Sequence, residues 1–406
     1  MKSKSFRLLW LGQLFANLGD VFYIVGLISI LYEVTGSAFY LALLPFLNTF
    51  GKFISGILSP LLLNKFRLKS LLVTSQLYKT IVLFVLSCWV SFQLTPDIWF
   101  ILLCIFLIAF LDGWAMPATS SMLPRLVEEN ELLKANSFVS VMTETAQLGG
   151  WAFGGILVAV LNGQNLIWLT FSLFVVSTIM MQKLKDETPF EVKENRQKIG
   201  EALKEGWMVI WKNPLFRSIH ILILVESIAN VVWVAAILYV FVTEVLHVTE
   251  AWWGYINTAF FIGLLLGGVI CSRFSIRIEK SMRKTVIFSS IGISIVTILF
   301  GLNSVAWMAL ILVALSGLMD QIKGITFNTY LQKEAHPDDL PKIYSAQNAL
   351  VSLVFGLSTL VFGIIAESMG ITITFIMAGS LLAAVGIYLW TVRHRFPNDY
   401  SLGSDN

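Results

Sequence analysis

Residues 98–138 read IWFILLCIFLIAFLDGWAMPATSSMLPRLVEENELLKANSF. The run over 98–123 is apolar enough and long enough to cross a membrane, which takes about 20 such residues in a helix. One acid, Asp112, interrupts it; Arg125 follows just beyond, and a second apolar stretch opens near residue 135 after a loop containing Glu131. A shift of 208 residues finds the same plan at 306–346, AWMALILVALSGLMDQIKGITFNTYLQKEAHPDDLPKIYSA. Asp112 then meets Asp320, Arg125 meets Lys333, Glu131 meets Asp339, Leu132 meets Leu340, Ser137 meets Ser345 and Gly155 meets Gly363, with no gap anywhere between. Shorter echoes agree. YEVTGSAFYL (32–41) parallels LHVTEAWWGY (246–255), and LGDVFY (18–23) parallels IANVVW (228–233). The chain is two copies of one membrane plan, an arrangement common in secondary transporters.

Working outward, apolar stretches of spanning length lie near 8–32, 38–63, 70–93, 98–123, 135–160, 165–182, 218–243, 251–272, 285–302, 306–330, 343–366 and 371–392. All but three of the 28 Lys and Arg then fall in the seven segments that share one side. The loops on the other side, near 33–37, 94–97, 161–164, 244–250, 303–305 and 367–370, contain none. Positive loops stay cytoplasmic during insertion. The expected fold is therefore all-α and polytopic, with twelve transmembrane helices in two pseudo-symmetric six-helix bundles. Both termini face the cytoplasm, and the cell (plasma) membrane is the expected location.

Composition excludes much else. The chain is 57% hydrophobic and 13% charged, far below the roughly quarter-charged soluble norm. The first apolar stretch is too long for a signal-peptide core, and no small-residue cleavage site follows it. Cys88, Cys104 and Cys271 lie within or at the ends of spans, so neither a disulfide framework nor a metal site is indicated. The sorted basic loops suit anionic lipid headgroups rather than nucleic acid. No phosphate-cradling Gly-x-x-x-x-Gly-Lys-Ser/Thr is present, which removes an ATP-driven pump. Nor does any hydrolase constellation appear: no enzyme activity, catalytic residue, cofactor or metal is expected. His220, His247, His336 and His394 lie at span ends or in loops.

The domain plan is an N-terminal bundle over 1–183, a cytoplasmic linker over 184–217, a C-terminal bundle over 218–393 and a tail over 394–406. Thr188–Pro189 breaks any helix in the linker. Residues 198–212 resume as an amphipathic helix with Ile199, Leu203, Trp207, Ile210 and Trp211 on its apolar side, suited to the headgroup region. The bundle needs no partner, so a monomer is expected.

Eight ionisable residues sit inside the spans: Asp20, Lys52, Lys79, Asp112, Glu144, Glu226, Asp320 and Lys323. Most lie about ten residues from the basic end, roughly 15 Å deep at helical rise. One charge at a helix centre costs about 2.5–3.5 kcal/mol, so eight unpaired ones cost on the order of 20 kcal/mol. They must be paired, hydrated or neutralised. Asp320 and Lys323 share a helix face and pair directly. Lys52, one turn after Asn48, and Lys79, one turn after Ser75, are both candidates for Asp112. Five acids against three lysines leaves two acids that must be neutralised by something other than lysine. Proton carriers have that property.

The whole chain resembles the Major Facilitator Superfamily, in the branch of macrolide-efflux proteins and enterobactin-type exporters. The resemblance is strongest in FRLLWLGQLFANLGDVFYIVGLISILYEVTGS (6–37) and in PATSSMLPRLVEENELLKANSF (117–138) leading to GGWAFGGILVA (149–159). The superfamily loop Gly-x-x-x-Asp-Arg-x-Gly-Arg-Arg corresponds here to PLLLNKFRLK (60–69). Asn64 stands at its acidic position, while Lys65, Arg67 and Lys69 keep its basic character. GVICSRF (268–274) is its worn counterpart in the second half, and GWAFGG (150–155) resembles the fifth-span exporter signature with Trp151 in place of proline.

In that family the first and seventh spans line a central cavity. The resemblance thus places the stripe Gln13, Asn17 and Asp20, with Tyr23, and the stripe Glu226, Asn230 and Trp233 on the cavity wall. Glu144, Gln147 and Trp151 form a similar patch on the fifth span. An intramembrane carboxylate is a functional candidate by default, and mid-span tryptophan holds amphipathic ligands by apolar and cation–π contact. The expected activity is proton-coupled efflux of an amphipathic, drug-like or macrolide-like compound by alternating access. Asp20, Glu226 and Glu144 carry the proton, with Asp20 or Glu226 foremost. Asn64, Lys65, Arg67, Lys69, Asp112, Asp320, Lys323, Lys52 and Lys79 form the gate and charge network. Export of siderophore-like or lipid-like molecules, or a sensor or scaffold role on the same fold, are the alternatives. Residue types alone do not name the substrate.

Overall fold

The computed structural model describes residues 3–35, 38–63, 65–92, 97–186, 199–233, 235–249 and 251–397, and every regular element among them is a helix. Asn64 and the Thr188–Pro189 break lie outside the described residues. The chain runs through α1 (Lys4–Thr35), α2 (Ala38–Leu63), α3 (Leu68–Phe92) and α4 (Ile98–Leu126), then α5 (Leu132–Gln182) and the linker helix α6 (Ile199–Lys212). The second half follows as α7 (Pro214–Ala229), α8 (Ala235–Val240), α9 (Ala251–Arg273), α10 (Ser275–Glu279), α11 (Met282–Gly301), α12 (Ala306–Glu334), α13 (Leu340–Met369) and α14 (Ile371–Thr391). Helices are what lipid demands, because each segment must satisfy its own backbone N–H and C=O groups. The repeat is legible in their ends: α4 and α12 are offset by 208 residues at both termini, and α5 and α13 start with the same offset.

Eleven of these helices are long and apolar enough to cross a bilayer, and one of them supplies two crossings. With 51 residues, α5 would be roughly 77 Å long if straight, more than twice the hydrocarbon core. It turns at Asn162, whose φ of 64° and ψ of 166° are not helical. Its contacts with α1 show the reversal. Before the turn, Gly150 lies against Val21 and Gly154 against Val25, both limbs running the same way. After it, Gly163 meets Gly26, Phe174 meets Gly19 and Met181 meets Gly12, in descending order. Asn162 is suited to that left-handed turn, and its side chain accepts the Asn165 N–H at 3.0 Å. The twelve expected crossings are all accounted for.

The seventh crossing differs from the single helix expected over 218–243. Asn213 caps α7 by accepting the Leu215 and Phe216 N–H groups. The helix then stops at Ala229 and tightens into a 3₁₀ turn over Asn230–Trp233. Asparagine favours caps, and the β-branched Val231 and Val232 are weak helix formers. Both valines are completely buried against Phe241, Phe300 and Phe375, so packing holds the break in place.

Contacts sort the chain into two units. One comprises residues 1–129, 145–208 and 335–352; the other comprises 130–144, 209–334 and 353–406. The first is built around Tyr23, Leu27, Leu83, Ile105 and Phe174, the second around Val231, Phe241, Phe300 and Phe375. In the second unit α9 and α12 approach so closely that a Cβ on Gly263 would collide with the Ala314 carbonyl oxygen, and one on Gly317 with that of Phe260. Small residues permit such contact between membrane helices.

Candidate functional site: two buried charge clusters

In the first unit, Lys79 of α3 is the hub. Its Nζ donates to Asp20 Oδ1 and Oδ2 at 2.9 and 3.1 Å and to Asp112 Oδ1 at 3.0 Å. Lys52 of α2 reaches the other Asp112 oxygen at 3.2 Å, so both candidate lysines bind that acid. Close backbone packing makes this possible. Gly113 sits against α2, where a Cβ would fall 2.9 Å from the Lys52 carbonyl oxygen. Ser75 ties α3 to α4 beside the acid, donating to the Leu111 carbonyl at 2.6 Å. Lys79 is 1% exposed and also lies 5.0 Å from the centre of the Phe174 ring. Two acids face two lysines, and the cluster is balanced.

In the second unit, Lys323 of α12 bridges two helices. It lies 3.1 Å from Glu226 Oε1 on α7 and 3.1 Å from Asp320 Oδ1 one turn back on its own helix. Lys323 is buried, while Asp320 keeps 38% of its side chain exposed. Glu144, in the first limb of α5, lies within the field of Asp320 and makes no ion pair among the described residues. Here two acids share one lysine, and Glu144 stands near Asp320 with no lysine of its own. The excess acid, countable in the sequence but not locatable there, thus lies with Lys323 and its neighbours rather than with Lys79. An arrangement of this kind holds one acid by ion pairing and needs a proton, water or a cationic guest for the others.

The remaining expected site residues scatter in character. Gln13 of α1 donates to Thr119 of α4 at 3.0 Å, and Asn17 is half-buried. Tyr23 is 1% exposed, within the core, and receives a hydrogen bond from Asn48 at 3.2 Å. Gln147 and Trp151 are exposed. Asn230 closes α7 with its backbone N–H on the Glu226 carbonyl, which couples the break to the acid-rich cluster. Trp233 packs edge-on against Phe300 and Phe375, with ring centres 4.8 and 5.4 Å away. Lys65 and Arg67 are exposed and Lys69 half-buried at the end of the α2–α3 turn. Among the described residues no group of three or more His, Cys, Asp or Glu has the geometry to hold a metal ion.

Several polar contacts near the basic ends of the spans escaped sequence reading. Lys333 pairs with Glu279, and Lys342 of α13 pairs with Glu205 of the linker helix. Asn136 of α5, 8% exposed, donates to Gln332 Oε1 at 2.6 Å and Thr329 Oγ1 at 3.2 Å on α12. Asn136 lies in the 117–138 stretch that carries the resemblance, but its partners are nearly two hundred positions away and nothing local signals them. Asn136→Leu is expected to remove both of these buried hydrogen bonds and to destabilise the protein by about 1–3 kcal/mol. Thermal unfolding in detergent measures it; a melting curve equal to that of the wild type refutes it.

Comparison with known proteins agrees with this architecture. Residues 1–404 match the transmembrane secretion effectors, a family of major facilitator type. The MFS-type transporter YfmI of Bacillus subtilis is 27% identical over 391 residues, 95% of this chain and 96% of its own. Macrolide efflux protein A of Streptococcus pyogenes is 20% identical over 94% of both chains, and the multidrug efflux pump Tap of Mycolicibacterium fortuitum is 25% identical over 70% of both. Among solved structures, the Escherichia coli fucose:proton symporter FucP superposes with a TM-score of 0.76 at 15% identity, covering 97% of this chain and 98% of its own. A bacterial homologue of the iron transporter ferroportin gives 0.74 at 15% identity over 95% and 98%. The chain therefore belongs to the transmembrane secretion effector family of major facilitator superfamily transporters.

Proposed function

We propose that this transporter exports an amphipathic, neutral or cationic organic compound, driven by inward proton flow, across a plasma membrane with both its termini in the cytoplasm. The observation that carries this reading is the imbalance in the second cluster: Glu226 and Asp320 share Lys323 alone, and Glu144 adds a third acid in the field of Asp320. With every acid ionised the cluster is doubly negative, and each uncompensated charge at that depth costs about 2.5–3.5 kcal/mol. A proton lowers that cost from one side of the membrane. After its release, the negative site attracts a cationic or polarisable guest from the other. Alternating access follows if the cluster exchanges one occupant for the other. The relatives named for macrolide and multidrug efflux support the substrate class. Asp20 is the weaker carrier of the expected three, because it shares a lysine within a balanced cluster.

The test is a proteoliposome assay with the purified chain and a panel of cationic dyes and macrolides. An imposed proton gradient is expected to drive at least one compound opposite to proton flow, and a protonophore to stop it. Movement in the same direction as the protons assigns import instead. Transport indifferent to the protonophore, whichever way the gradient points, overturns proton coupling.

A further inference from the structure

The turn between α9 and α11 carries a basic pocket that the transport reading does not use. It is a concavity of about 540 Å³ ringed by Lys134, Arg273, Arg277 and Lys280, with Phe274 and Ile276 among its walls. No acid lines it. The one acid of the adjoining segment, Glu279, is 4% exposed and is taken up by Lys333. None of the four cations makes an ion pair among the described residues. The floor is firm: Leu133, Cys271, Ile278 and Ile325 form a buried cluster beneath it. Four like charges held around one hollow repel each other unless an anion lies between them.

The walls say which kind of anion. Phe274 is 48% and Ile276 61% exposed, beside the cations and at the point where α9 leaves the membrane and α11 enters it. A soluble phosphate makes no use of them. A phospholipid does, placing its phosphate among the basic groups and its acyl chains along the apolar ones. We propose that this pocket is a binding site for the phosphate headgroup of an anionic phospholipid. Basic pockets at the basic face of membrane proteins have this capacity in general. The proposal does not depend on what the protein carries.

The full chain, delipidated in neutral detergent, is titrated with phosphatidylglycerol, phosphatidylcholine or sodium phosphate, and bound lipid is read by native mass spectrometry with the unfolding temperature alongside. Phosphatidylglycerol is expected to bind and stabilise in preference to the other two. Arg273→Gln/Arg277→Gln is expected to bind it roughly thirtyfold more weakly, about fivefold per cation removed. Lys134→Gln/Lys280→Gln is a second pair, to be used if the first does not fold, with the same expected loss. Lys4→Gln/Arg7→Gln removes the same charge from exposed sites on the same face and is expected to change nothing. Equal binding of phosphatidylcholine overturns the site, as does equal weakening in the Lys4/Arg7 control or full retention in the pocket variants. Inorganic phosphate acting as well as the lipid assigns the pocket to soluble anions and overturns the lipid reading.

Discussion

A Glu226→Gln protein is expected to insert and fold yet lose all of its proton-driven efflux. Glutamine keeps the shape of the side chain and an oxygen to accept from Lys323, and Lys323 retains Asp320 at 3.1 Å. The substitution therefore removes a protonatable site without stranding a buried cation. Efflux down a substrate gradient is expected to persist, while the component that a protonophore abolishes in the wild type disappears. Glu144→Gln tests the acid that has no lysine of its own and is expected to cut coupling in the same direction. If both variants respond to the proton gradient as the wild type does, the acid-rich cluster is not the carrier. Asp20→Asn then becomes the decisive substitution.

The largest effect on stability is expected at Lys79. Lys79→Met leaves Asp20 without its lysine and Asp112 with Lys52 alone, all inside the bundle. Removing one partner of a buried ion pair costs about 3–5 kcal/mol, because the remaining charge is uncompensated. The double variant Lys79→Met/Asp20→Asn restores one acid to one lysine and is expected to regain much of the lost stability. Thermal unfolding in detergent measures both. A single variant that melts with the wild type, or a double variant no better than the single, would show that the cluster contributes nothing through charge balance. The same comparison in the second unit has a different expected outcome: there an acid can be lost without unbalancing a lysine.

Much of the fold was legible because the bilayer imposes simple rules on sequence. Span length, the absence of Lys and Arg on one side and the 208-residue repeat each follow from local composition, and α4 and α12 honour the repeat at both ends. The departures have local causes that hydropathy does not register. Asn162 turns what would be one overlong helix into two crossings. The Asn230–Trp233 break rests on two valines whose burial depends on Phe241, Phe300 and Phe375 from other parts of the chain.

The site was legible in kind but not in partnership. Helical spacing identifies Asp320 with Lys323, since both are on one helix a turn apart. It says nothing of Lys79 and Asp20, which are 59 residues apart, or of Asn136 and Gln332, which are 196 apart. Rotation of each helix about its axis selects these contacts, and that rotation is set by packing such as Gly113 against α2.

The sequence by itself determined that this is a twelve-span membrane transporter fold of two like halves, with five acids and three lysines in its interior. Those properties are sums over local composition, and the membrane acts on the sums. Only the tertiary structure decided where the excess acid lies. The first unit neutralises Asp20 and Asp112 with lysines from two neighbouring helices, and the second leaves Glu226 and Asp320 to share a single lysine, with Glu144 in the field of Asp320. Charge balance in a low-dielectric interior is a matter of a few ångströms, and distance between helices is what a linear chain does not specify.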